Sequence, residues 1–283
     1  MHGQGVAIGI LLAGTISCAS AQWLNYRDPK TPRTKDGKPN LSAPAPRSQG
    51  KPDLAGVWQT EPSPPEEMAR LFPELGVLFL LGDDPRTFSK YERNVLADFK
   101  PEDAPIRPEA AALFEARTRS LRKDLPTSHC QPAGITIAEG IGDPFAKKII
   151  QMPGLVMVLY EIDGRYRQIY TDGRKQLAAP EPSWLGYSVG RWEADTLVVD
   201  TVGFNDRTWL DTSGHPHSEA LHLTERFHRL DFGHMDLQIT IEDPKMYTRP
   251  FTIKYPQRLL PDTDVLEFVC TENEKDRGHL DGR

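Results

Sequence analysis

A mainly β fold is what this 283-residue chain predicts: an antiparallel meander that closes into a barrel or a strongly bent sheet, with a helical insertion near the N-terminus. Three observations lead there. From Gly134 onward, short runs end in turn signals at hairpin spacing. GLVMVLYEID ends at Asp163-Gly164 and RYRQIYTDG at Asp172-Gly173, LGYSVGRW turns into DTLVVDTVGF, and EALHLTERFHRL turns through Asp231-Phe232-Gly233 into HMDLQITIED. Within the runs apolar residues recur at every second position, the period of a half-buried strand. A meander of this length must also curl to bury its apolar face and protect its edges.

In chain order, residues 1–21 combine an apolar run over 6–16 with Ala19, Ser20 and Ala21, which suits leader cleavage before Gln22. The run is shorter than the ~20 residues of a membrane-spanning helix, so no membrane span is expected and the mature chain is periplasmic or secreted. Cys18 leaves lipid attachment as an alternative, against which Thr15 stands where a lipoprotein signal usually has Leu. Residues 22–53 form an extended Pro-rich arm, either disordered or laid along the body by Trp23, Leu24 and Tyr26. Its echo, GKPNLSA at Gly37 and GKPDLAG at Gly50, reads as a short echo rather than a structural repeat.

Residues 54–283 form one domain. A first strand over 53–60 carries Gly56-Val57-Trp58, which resembles the G-x-W of lipocalin first strands and implies a lipocalin-like barrel. The insertion over 62–126 contains two helix starts. Pro64-Pro65-Glu66-Glu67 precedes Met68, Leu71, Phe72 and Leu75, and Pro108-Glu109 precedes Ala112, Leu113, Ala116 and Leu121. Both helices are expected to cover one face or end of the sheet, and the apolar 76–81 stretch is expected to be buried. TRPFTIKY and DVLEFVC supply the last two strands.

A net charge of -6 without a basic cluster argues against a nucleic-acid partner, because phosphate neutralisation needs concentrated Lys and Arg. Removing the leader leaves Cys130 and Cys270, which in an oxidising compartment read as one disulfide. In the chain-entropy model a loop of this length gains on the order of 4–5 kcal/mol.

Chemistry concentrates between Gly203 and Arg229, where Asn205, Asp206, Asp211, His215, His217, Glu219, His222, Glu225 and His228 follow one another through a polar loop into a strand. Alternation sets Leu221, Leu223, Glu225 and Phe227 on one strand face and His222, Thr224, Arg226 and His228 on the other. Glu225 is the misfit on the apolar side, as Asp200 and Glu161 are on theirs. Such carboxylates either serve acid–base work with a raised pKa or pair with an arginine such as Arg165, Arg167, Arg191 or Arg226. His215-Pro216-His217 with Glu219 either turns toward a divalent metal or forms a turn whose His side chains hydrogen-bond the loop. The H-x-H-x₃₋₄-E spacing of cupins is not met, and neither a nucleophile elbow nor a phosphate-cradling loop occurs. The expected catalytic groups are Asp206, His217, Glu219 and Glu225. Asn205, Trp209, Asp211, His215, His222 and Arg226 are expected to contact ligand, with Trp209 on the wall of a shared pocket.

The run GYSVGRWEADTLVVDTVGFNDRTWLDTSGHPHSEALHLTERFHRLDFGHMDLQITIEDPKMYTRPF, with WLNYRDPKTPR early and FVCTENEKD late, resembles a family of exported bacterial proteins over nearly all of the mature chain. The resemblance implies export and carries no catalytic assignment. The residues themselves lead to an enzyme acting on a small, partly apolar organic molecule by general acid–base chemistry, as a hydrolase, lyase or isomerase. The alternative is a non-catalytic lipocalin-like small-molecule binder. The oligomeric state is left open.

Overall fold

A computed structural model describes residues 27–73, 88–142 and 145–271. The leader, Cys18, Trp23, Leu24, Tyr26, Leu75 and the 76–81 stretch lie outside these residues. In the arm, β1 (Arg47–Ser48) and β2 (Lys51–Pro52) form a small ribbon. Nine further strands close into a barrel: β3 (Gly56–Thr60), β4 (Lys147–Met152), β5 (Leu155–Tyr160), β6 (Tyr166–Tyr170), β7 (Tyr187–Glu193), β8 (Thr196–Val202), β9 (His222–Arg229), β10 (His234–Glu242) and β11 (Phe251–Leu259). They follow one another around the ring in chain order, and β11 pairs back onto β3.

The expected lipocalin-like barrel is therefore present, with one departure from a pure antiparallel meander. An odd number of strands cannot alternate up and down around a closed ring without two neighbours running the same way. That joint is β6–β7, the one parallel pair, and the long connection between Tyr170 and Tyr187 gives the chain room to cross back. Alternation fills the interior. Phe251, Ile253, Tyr255, Gln257 and Leu259 of β11 and Met235, Leu237, Ile239 and Ile241 of β10 are all buried.

Two segments correct the sequence reading. Residues 264–270 are not a strand, because β11 has already closed the ring on β3 and no strand edge remains to receive them. They lie on the outside, held by Lys148–Asp264 at 2.6 Å and by Leu266 N–H donating to Glu161 Oε1 at 2.8 Å. Glu161 also accepts from Ala146 N–H at 2.8 Å, so its misfit position is explained by backbone partners. Residues 135–140, absorbed into the strand pattern, form a helix.

The described helices are α1 (Pro65–Leu71), α2 (Lys90–Arg93), α3 (Pro108–Arg119) and α4 (Ile135–Gly140). Proline at the first helical position and an acidic first turn start α1 and α3, as the sequence indicates. Every residue of α4 is buried, and it stoppers one barrel end: Tyr255 Oη donates to Thr136 O at 3.1 Å and Thr60 Oγ1 to Glu139 O at 2.5 Å. Cys130 and Cys270 form a disulfide with Cα atoms 5.6 Å apart, tying the turn before α4 to the chain after β11.

The arm is laid along the body at the opposite end, and its echo proves to be structural. Each copy is a small hairpin opened by arginine and turned by glycine at positive φ, +81° at Gly37 and +77° at Gly50. Arg33 donates to Gly37 O at 3.2 Å and pairs with Asp262 at 2.5 Å. Arg47 donates to Gly50 O at 2.7 Å and pairs with Asp195 at 2.9 Å. The residues after each hairpin dock on the barrel. Phe232 N–H and Gly233 N–H donate to Ala43 O and Leu41 O, both at 2.7 Å, and Trp58 Nε1 donates to Leu54 O at 2.9 Å.

Candidate functional site

Inside the barrel below α4 lies a closed network of charges. Arg167 of β6 forks onto both oxygens of Glu225 of β9, and it also donates to Ser188 Oγ at 3.0 Å and Thr201 Oγ1 at 2.7 Å. Lys147 of β4 pairs with Glu139 of α4 at 2.5 Å, and Tyr160 donates to the other Glu139 oxygen at 2.5 Å. All seven side chains are buried. Burial opposes the charge on Arg167, but the Glu225 carboxylate outweighs it and holds the guanidinium pKa above its usual value. The Glu225 misfit is thus resolved by a buried ion pair, one of the two alternatives its position allowed.

The 203–221 loop is organised by Asp211, which is fully buried. Its Oδ1 accepts from the backbone N–H of Ser213, Gly214 and His215, and its Oδ2 accepts from Val95 N–H at 2.8 Å and His215 Nδ1 at 2.5 Å. His215 is stacked on Phe114 of α3, with ring centroids 4.2 Å apart. His217 is buried elsewhere: Nδ1 donates to Ser218 O at 3.0 Å, so Nε2 accepts from Thr208 Oγ1 at 2.6 Å. Burial lowers the His217 pKa and keeps the ring neutral. Ser218 in turn donates to both oxygens of Asp243, at 2.6 and 2.9 Å. Gly134, at φ +86°, lets α4 approach, since a Cβ there would stand 2.9 Å from Thr208 Cβ.

The His-Pro-His segment therefore takes the loop-bonding alternative, and Glu219 is exposed. Among the described residues, no three His, Cys, Asp or Glu side chains converge in a way that could hold a metal. His222 and Arg226 lie on the outer barrel face. His222 Nε2 meets Asp200 at 3.0 Å, and Arg226 pairs with Glu193 at 3.0 Å. Asp200 also pairs with Arg191, which accounts for the third misplaced carboxylate.

Asp206 and Trp209 do meet at a groove, of about 540 Å³, between α3 and the loop. Asn205 stands beside it, accepting from Arg207 N–H at 3.2 Å. The α3 side contributes Leu113, Ala116, Arg117, Ser120 and Asp124, with Gln131 beyond, and the loop side Asp206, Arg207 and Trp209. Leu113, expected on the helix's core face, is 40% exposed here, and Leu121, expected on the same face, lies past the helix end and is 87% exposed. The Arg117 guanidinium lies over the Trp209 ring at 4.5 Å and donates to Gly214 O at 2.9 Å. Its stem lies on Gly214, where a Cβ would come within 3.2 Å of Arg117 Cβ. Burial lowers the Arg117 pKa to about 10 against the pull of Tyr247, Asp211 and Asp124.

Of the expected site residues, the groove thus gathers Asp206 and Trp209, with Asn205 adjacent. His215 and His217 are placed behind it on separate partners, and Glu219, Glu225, His222 and Arg226 lie elsewhere. Arg117, Asp124, Gln131 and Arg207 escaped the sequence reading. The one signal for them was an apolar helix face, at Leu113 and Ala116, with an arginine on it. Among the described residues no helix is long and apolar enough to cross a membrane. No protein-family model, no curated protein and no solved structure matches the chain.

Proposed function

We propose that this chain is an exported small-molecule-binding protein whose ligand occupies the groove between α3 and the 203–221 loop. The observation that carries this reading is the Arg117–Trp209 stack: a half-buried guanidinium on an indole face, with no ion-pair partner among the described residues, lining a concavity of ligand-binding size. Export is supported by the leader-like first residues, by the resemblance to exported proteins and by the disulfide.

Binding is favoured over acid–base catalysis because the titratable groups expected to do chemistry are engaged elsewhere. Glu225 is held by Arg167, His217 is neutral between Thr208 and Ser218, and Glu219 is outside the groove lining. The catalytic reading keeps one foothold, the Asp211–His215 hydrogen bond beneath Phe114, which orients an imidazole as a general base requires.

The test is an amide and indole NMR titration of the mature chain with millimolar amino acids, aromatic carboxylates and aromatic amines. Shifts centred on the Trp209 indole N–H and the Arg117 and Asp206 amides are expected. A panel in which no member shifts these signals, or in which the shifts map to the arm end, overturns the reading.

A further inference from the structure

Each wall of the groove carries one cation and one anion, Arg117 with Asp124 on the α3 side and Arg207 with Asp206 on the loop side. None of the four is ion-paired among the described residues; the two arginines face the rings of Trp209 and Trp184 instead, at 4.5 and 5.9 Å. Charges elsewhere on this surface do find each other. Arg47 meets Asp195 at 2.9 Å, Arg174 meets Asp172 at 2.6 Å and Arg226 meets Glu193 at 3.0 Å.

Resting on the binding reading above, we infer that the groove takes a zwitterion on a small apolar frame, of the free aromatic α-amino acid type. Arg117 receives the carboxylate, Asp124 and Asp206 receive the ammonium, and exposed Leu113, beside the buried Trp209 ring, receives the side chain. A simple anion would meet two arginines but also two carboxylates, and a simple cation the reverse, whereas a ligand of both signs is matched at both ends. Arg117 commits one hydrogen bond, to Gly214 O, and its planar fork suits a carboxylate better than a point charge would. Taking that guanidinium partly out of water with no carboxylate in contact costs free energy that a ligand carboxylate offsets on binding. Exposed Leu113 beside the Trp209 ring supplies the apolar contact that orients the frame.

Calorimetric titration of the full mature chain with L-phenylalanine, 3-phenylpropionate and 2-phenylethylamine separates the contributions. Phenylalanine is expected to bind at least about tenfold more tightly than either single-charge analogue, the gap a single well-made charged contact produces. Arg117→Ala should bring phenylalanine down to the level of phenylethylamine or below, while phenylethylamine itself, relieved of a like charge, should not weaken. Asp124→Asn with Asp206→Asn should bring it down to that of phenylpropionate. If Arg117→Ala fails to fold, Arg117→Lys keeps the charge without the fork and should lose most of the carboxylate advantage. Equal affinity for the three ligands, or phenylpropionate binding tightest, overturns the zwitterion inference and leaves a groove binder of another class. If none of the three binds while another member of the NMR panel shifts the groove signals, the inference likewise falls and the binding reading stands; silence from all of them removes both.

Discussion

Two sets of charged side chains lie at the α4 end of the barrel, and they differ in one respect. Within the barrel Arg167, Glu225, Lys147 and Glu139 are wholly enclosed, and each has an opposite charge in contact. In the groove outside, Arg117, Arg207, Asp124 and Asp206 share one concavity and form no ion pair among the described residues. Enclosed charges in water-free surroundings persist only when they neutralise one another, and such a cluster is complete without a ligand. Accessible charges left apart have unmet capacity for recognition. Charge on an apolar face is therefore a sign of architecture when its partner is at hand, and a sign of a site when it is not.

The contrast breaks most visibly at Arg167. Arg167→Met leaves Glu225 ionisable and alone inside the barrel, and should cost about 3–5 kcal/mol in urea denaturation, with much of it restored when Glu225→Leu is added. A loss below about 1 kcal/mol would show that water reaches the network, and the division between inside and outside would fail. Next in size is the disulfide. Cys130→Ser with Cys270→Ser should lower stability by about 2–5 kcal/mol under non-reducing conditions, and an unchanged denaturation midpoint would contradict a bridge in the native protein.

His217 offers a smaller effect with a definite sign. Burial lowers its folded pKa below 6.5, so on acidification the unfolded chain takes up that proton before the folded one does. The contribution of His217 is complete above about pH 6.5 and is lost as pH falls toward the folded pKa, by at most about 1.4 kcal/mol per pH unit. The stability advantage of wild type over His217→Gln should therefore shrink on acidification, and a pH-independent difference would place the imidazole in solvent. Smallest of all, Asp206→Asn, Asp124→Asn and Glu219→Ala should each move stability by no more than about 0.5 kcal/mol. A Tm drop of many degrees in Asp206→Asn would transfer the groove to the architecture.

Much of the barrel was legible because strand period and turn chemistry are local. Asp163-Gly164 and Asp231-Phe232-Gly233 mark their turns without reference to anything distant. Ring closure was not local. Whether residues 264–270 or β11 forms the last strand depends on which edge β3 has left open, and the parallel joint was signalled only by a connection too long for a hairpin. The arm's echo was visible as GKPNLSA and GKPDLAG, but the arginine opening each hairpin stands at a different offset, which hid the shared geometry. The site divides the same way. Glu225 stood out as a misfit, while its partner lies 58 residues away. Trp209 was singled out, while Arg117 is brought to it only by the docking of α3.

The parallel joint gives the ring a mechanical character. Hoops of hydrogen bonds share strain among their seams, and β6–β7 is stitched only at Ile169–Ser188 and Tyr170–Val189, whereas β9–β10 is paired along nearly its whole length. This seam has the fewest backbone rungs of the hoop. A rivet sits at that weak place: the Tyr170 and Tyr187 rings lie 5.5 Å apart, and Arg174 covers one at 3.7 Å and donates to the hydroxyl of the other at 3.3 Å. The two strands are thereby joined from outside, by side chains, where the backbone holds them least.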